Sequence, residues 1–126
     1  MALQRIKLGN PPKFFARTVE FVFIDGTKGS IDVEFHYRTR EEFAKYIAEA
    51  YKSRPDEGAP EAALESAAAA ELDRDATLIH GALVSWDLED GLSFESARLL
   101  ASTYPAAAAA ILEEYRLAIV EGRRKN

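Results

Sequence analysis

Cysteine is absent, histidine occurs twice, and methionine and tryptophan once each. Without thiols there is no disulfide, no thiolate nucleophile and no cysteine-based metal site. No stretch of about 18 strongly apolar residues occurs, so no membrane-spanning helix is expected. Ala106 to Ala110 is only weakly hydrophobic, and Glu113 and Glu114 follow at once. Met1 to Gly9 has no long apolar run and no signal-cleavage pattern. The expectation is a soluble protein that works where it is made.

Reactive constellations are missing too. His36 and His80 lie in different segments with no compact ligand spacing between them, whereas zinc asks for three or four placed ligands. Asp87, Glu89 and Asp90 end in Gly91 but lack the twelve-residue calcium-loop pattern. Asp73 with Asp75, and Glu113 with Glu114, offer carboxylates with no nucleophile beside them. Gly26 and Gly29 sit between two strand-like runs rather than between a strand and a helix, so they form no phosphate cradle. No catalytic residue, cofactor or metal is expected, and the chain reads as a binder rather than an enzyme.

What is present fits one small α+β domain. The 126 residues allow a modest core. Alanine inflates the 48% hydrophobic fraction, so seven Phe, five Tyr and the one Trp must supply much of the buried area. Charge is unevenly placed: Glu41 to Glu95 holds 14 acids against four bases, within a net of -5 for the chain. Arg5, Lys7, Lys13 and Arg17 precede any acid. An acidic middle opposes a broad nucleic-acid surface, which needs clustered cations.

Thr18 to Ile24 alternates with Val19, Phe21 and Phe23 on one side. Ser30 to Tyr37 alternates more cleanly, with Ile31, Val33, Phe35 and Tyr37 opposite Asp32, Glu34 and His36. Asp25 to Gly29 has the composition of a turn, which makes an antiparallel hairpin. Ile6 to Leu8 is a candidate third, short edge strand, stopped by Pro11 and Pro12. Thr39 with Glu42 forms a capping box for a helix whose stripe of Phe43, Ile47, Ala50 and Tyr51 is the expected lid on the hairpin. Residues 54–61 are rich in Pro and Gly and read as a flexible linker between subregions 1–53 and 62–126. The second subregion is expected to be a bundle of about three helices: Glu61 to Leu83, one starting after the N-cap Ser93, and Pro105 to Glu121. Tyr104-Pro105 breaks the last two apart, and Gly122 closes the last at its C′ position.

Trp86 reads as a core anchor between helices, with interface anchoring as the alternative, and Asp87 as a capping residue beside it.

Residues 78–126 resemble the tail assembly chaperones of long-tailed bacteriophages and prophages. The resemblance rests on order and spacing: Ser85-Trp86-Asp87, an acidic loop, Leu92-Ser93-Phe94, a Leu/Ala helix over Ala97 to Leu100, Tyr104-Pro105, an Ala-rich helix reaching Tyr115, and the close Gly122 to Asn126. Ser85 stands where the family commonly has glycine, and Glu95 where proline often starts the helix, which leaves the subfamily open. The resemblance implies a non-enzymatic helper that coats the tape-measure protein and helps recruit tail-tube subunits. It implies action in the bacterial host cytoplasm, absence from the mature virion and self-association as a homo-oligomer. It also implies that some members exist in a longer frameshifted form, this chain being the short one. A partner helix is then expected on the surface around Leu99, Ile111 and Tyr115, with Trp86 as a buttress and Asp87, Ser93, Tyr104 and Pro105 as structural supports. A small regulatory module (antitoxin-like or adaptor) and a structural tail protein stand as alternatives.

Overall fold

The hairpin forms where the alternation places it, but its first strand starts earlier. The computed structural model describes residues 3, 5–52 and 60–124. Strand β1 spans Phe14–Val22 and β2 Lys28–His36, in antiparallel register from Phe14 opposite His36 to Val22 opposite Lys28. Gly26, at φ 89°, supplies the left-handed turn residue, and Asp25 accepts hydrogen bonds from the Thr27 amide and hydroxyl. Phe15, Val19, Phe21, Ile31, Val33 and Phe35 line the inner face, while Asp32 and Glu34 point outward.

The third strand is β3, Leu83–Trp86, and it joins β2 rather than β1. Ile6 to Leu8 pair with no strand. Pairing runs Val33 to Trp86, Glu34 to Ser85 and Phe35 to Leu83, with an irregularity between Glu34 and Phe35. The order is therefore β1-β2-β3, and the outer edge of β1 is unpaired among the described residues.

Helix α1 spans Arg40–Ala50 and α2 Pro60–Ala82. Residues 54–59 of the expected linker lie outside the described residues, and Pro60 and Glu61 belong to the first turn of α2. Helix α3 spans Phe94–Thr103 and α4 Pro105–Arg116, which continues as a π-helical segment Leu117–Glu121. Gly122 ends it at φ 66°, in the left-handed conformation that favours glycine after a helix.

The helix across the hairpin is α4. It packs on β1, while α1 packs on α2 and the π-helical segment. The difference follows from side-chain size. Ala107 and Ala108 let α4 approach the sheet closely, and Ile111 and Tyr115 fill the space beyond. On α1, Phe43 and Tyr46 reach the same core from its side, and the helix has no fully buried residue. The Arg98–Asp73 ion pair (2.7 Å) ties α3 to α2 at the surface.

The Thr39 capping box is complete: its hydroxyl accepts from the Glu42 amide at 3.2 Å, and its own amide donates to the Glu42 carboxylate at 2.8 Å. These bonds hold the Glu42 carboxyl below its ordinary range. Since α1 depends on its start more than on burial, Thr39→Ala is expected to destabilise the protein by about 1 kcal/mol. Urea unfolding followed by circular dichroism checks this; an unchanged midpoint would mean that the cap contributes nothing.

Candidate functional site

The residues that sequence patterning singles out divide into two groups, one inside the core and one on a groove. Tyr115 and Ile111 face inward, at 1% and 0% exposure. The Tyr115 hydroxyl donates to the His36 carbonyl and accepts from the Arg38 guanidinium, both at 2.8 Å. Arg38 also donates to the Gly81 carbonyl at 2.8 Å and lies 4.1 Å above the Tyr46 ring. Tyr46 in turn donates to the Leu78 carbonyl. Phe35 stacks on Tyr115 at 4.9 Å, with Phe43 and Tyr46 edge-on at 5.7 and 5.8 Å. One polar node thus joins β2, α1, α2 and α4. Burial pushes both tyrosine hydroxyls above their ordinary titration range. Gly81 permits the node, because a Cβ there would lie 3.0 Å from the Tyr46 ring.

Trp86 and Asp87 form a second anchor. The half-buried indole donates to the Asp90 carbonyl at 2.7 Å. Asp87 exchanges bonds with Asp32 of β2: its amide donates to the Asp32 carbonyl at 3.1 Å, and its carboxylate accepts from the Asp32 amide at 3.0 Å. At the far end of the loop the Ser96 hydroxyl donates to the Gly91 carbonyl at 2.7 Å, and Ser93 caps α3 by accepting from the Ser96 amide. The acidic loop 87–92 is thereby fixed at both ends. Tyr104 ends α3 and precedes Pro105 at the first position of α4.

Between this loop, the hairpin and α3 lies a groove of ≈ 430 Å³. Phe21 and Phe23 form one wall, Leu99 and Tyr104 the other, and Trp86 and Leu88 also line it. Phe23 meets Phe21 edge-on at 5.0 Å and Tyr104 at 5.9 Å. Leu99 is 61% and Tyr104 49% exposed. Glu89 and Asp90 also line the groove, with no Lys or Arg among its lining residues. It offers a concave, mainly apolar surface with two carboxylates among its lining residues.

Sequence patterning missed Phe21 and Phe23 as parts of this surface. A signal was available: Gly29 stands opposite Phe21 in the ladder, and a Cβ on it would lie 2.6 Å from the Phe23 ring and 2.9 Å from that of Phe21. A bare glycine across from an aromatic invites the ring to lie over it.

The weaker candidates stay apart. His36 takes part through its carbonyl and its ring edge against Phe14, and His80 is exposed on α2. Among the described residues, no cluster of three or more His, Asp or Glu is placed to hold a metal. No helix among them is long and apolar enough to cross a membrane. Asp73 pairs with Arg98, and burial raises the Asp75 carboxyl above its ordinary range.

Comparison with curated proteins and with solved structures gave no match. Comparison with protein families matched phage tail assembly chaperones along residues 1–126. The match takes in the hairpin and α1 as well as the Trp86 to Tyr115 half, and the chain belongs to this family of non-catalytic tail assembly chaperones.

Proposed function

We propose that the chain binds the tape-measure protein during tail morphogenesis and helps recruit tail-tube subunits around it. It acts as a homo-oligomer in the bacterial host cytoplasm and leaves before the virion is finished. The observation that carries the reading is the groove, where exposed Leu99 and Tyr104 face Phe21 and Phe23 above an acidic rim. The fitting occupant is an amphipathic helical segment of the tape measure, with apolar anchors in the groove and Lys or Arg beside Glu89 and Asp90. Trp86 holds the loop that shapes one wall. Ile111 and Tyr115 serve the site from within, by fixing α4 against the sheet.

Co-expression with the tape-measure protein, pull-down and light scattering test this. A soluble complex carrying many copies per tape measure is the expected result. No complex, with the tape measure still aggregating, would overturn the reading.

A further inference from the structure

The N-terminal arm and the outer edge of β1 are complementary, yet they do not meet within one chain. Leu3, Ile6 and Leu8 are 93%, 86% and 94% exposed. The described arm residues have no strand partner, and one 3.4 Å turn bond from the Asn10 amide to the Lys7 carbonyl is their backbone contact. Three large aliphatic side chains left in water on one short segment are an association surface in search of a cover.

The β1 edge supplies one. The Tyr37 amide donates to the Lys13 carbonyl and the Phe23 amide to the Thr27 carbonyl. In the register of this hairpin those bonds make the odd-numbered residues of β1 the ones that face β2. The backbone groups of Ala16, Thr18, Glu20 and Val22 therefore point to the outer edge, where no strand pairs among the described residues and the Arg17 guanidinium donates to the Ala16 carbonyl at 3.0 Å. A nine-residue edge strand without proline is a template for another strand. Beside it, β1 and α4 enclose a groove of ≈ 1240 Å³ whose α4 wall carries Ala106, Ala109 and Ala110, followed by Glu113 and Glu114 toward its end, with Arg124 beyond.

The geometry points to addition of one copy's N-terminal arm, Arg5 to Leu8, as a fourth strand on the β1 edge of another copy. This deepens the self-association in the reading above and does not depend on the tape-measure contact. In an extended arm, Ile6 and Leu8 share one face and Arg5 and Lys7 the other. The apolar pair then lies toward the alanine wall of α4, and the two bases lie on the outer face that carries Glu20, Asp32 and Glu34. The arm holds no acid, so its bases meet the carboxylates of the outer face while its apolar pair meets the alanines of α4.

The spacer decides between the chain's own edge and a neighbour's. Pro11 and Pro12 have a fixed φ, and Asn10 and Pro11 each precede a proline, which holds them extended. A reversal onto the chain's own edge therefore falls in the Lys7–Asn10 turn, which takes Lys7 and Leu8 out of any strand, so an extended Arg5 to Leu8 is available only to another copy. The contact is thus head-to-tail, arm to edge, and repeats from copy to copy unless the ring closes.

Analytical ultracentrifugation of the full chain tests this against two variants. Ile6→Asp with Leu8→Asp removes the apolar face of the arm. Glu20→Pro removes one outward amide while sparing the ladder to β2. Each is expected to weaken self-association by roughly tenfold or more, with a far-ultraviolet circular dichroism spectrum like that of wild type. Mixing the two variants leaves one intact edge and one intact arm, so heterodimers are expected. A wild-type chain that stays monomeric, or an arm variant that associates as tightly as wild type, would overturn the proposal. If either result comes with intact tape-measure binding, the tape-measure part of the functional reading stands, and a monomeric wild type removes only its homo-oligomer part.

Discussion

Replacing Tyr115 with alanine is expected to lower stability by about 3–5 kcal/mol, the range for deleting a buried aromatic. Native stability is only about 5–15 kcal/mol, so the variant would sit near the edge of folding. Two losses combine. The ring is 1% exposed and packed by Phe15, Phe35, Phe43 and Tyr46, so its removal leaves a cavity. The hydroxyl also serves the His36 carbonyl and Arg38. Tyr115→Phe separates the two losses and is expected to cost about 1–3 kcal/mol, because the His36 carbonyl loses its donor. Arg38 retains the Gly81 carbonyl, which limits the damage. Urea unfolding followed by Trp86 fluorescence measures both. If Tyr115→Ala unfolds at the wild-type midpoint, the core assignment of α4 is wrong. The same node sets an alkaline limit. Folded Tyr115 and Tyr46 hold their protons above the ordinary tyrosine range, so the native state binds more protons than the unfolded chain. Stability is then expected to fall as pH rises past about 10, and Tyr115→Phe should flatten that fall.

Patterning within single elements was legible because it is local. The β2 alternation, the Thr39 and Ser93 caps, the Tyr104-Pro105 break and the Gly122 stop all follow from neighbouring residues, and each stands where the sequence puts it. Choices between elements were not legible. Leu83–Trp86 is only four residues long and follows a 23-residue helix, so its strand character comes from β2, about 50 residues away in sequence, rather than from its own pattern. Helix α4 displaces α1 from the hairpin because alanines permit a closer approach, which periodicity does not weigh. The candidate site shows the same limit. A helical stripe says that Ile111 and Tyr115 share a face, but not whether that face looks at the sheet or at a partner. Leu99 belongs to a similar stripe on α3, yet Leu100 takes the core position (8% exposed) and Leu99 the open one.

That exposed leucine carries the second large effect. Leu99→Asp is expected to weaken tape-measure binding by about 2 kcal/mol, roughly thirtyfold in Kd, while the melting temperature stays close to wild type. The reason is its position. Leu99 lines the groove opposite Phe21 and Phe23, and its solvent exposure means that the free protein loses little when it becomes polar. In a complex the new carboxylate would lie among the partner's apolar anchors and the aromatic rings, away from the acidic rim where the partner's cations sit, and would be desolvated there unpaired. Leu64→Asp is the matched control, since Leu64 is also exposed (73%) and lies on α2 away from the groove. Trp86 adds a direct reading because it is the only tryptophan and it lines the groove. Its emission is expected to shift when the wild-type groove fills, to shift equally in Leu64→Asp, and to stay still in Leu99→Asp at the same partner concentration. Wild-type affinity in Leu99→Asp would move the docking site off this groove, and loss of binding in Leu64→Asp instead would place it on α2.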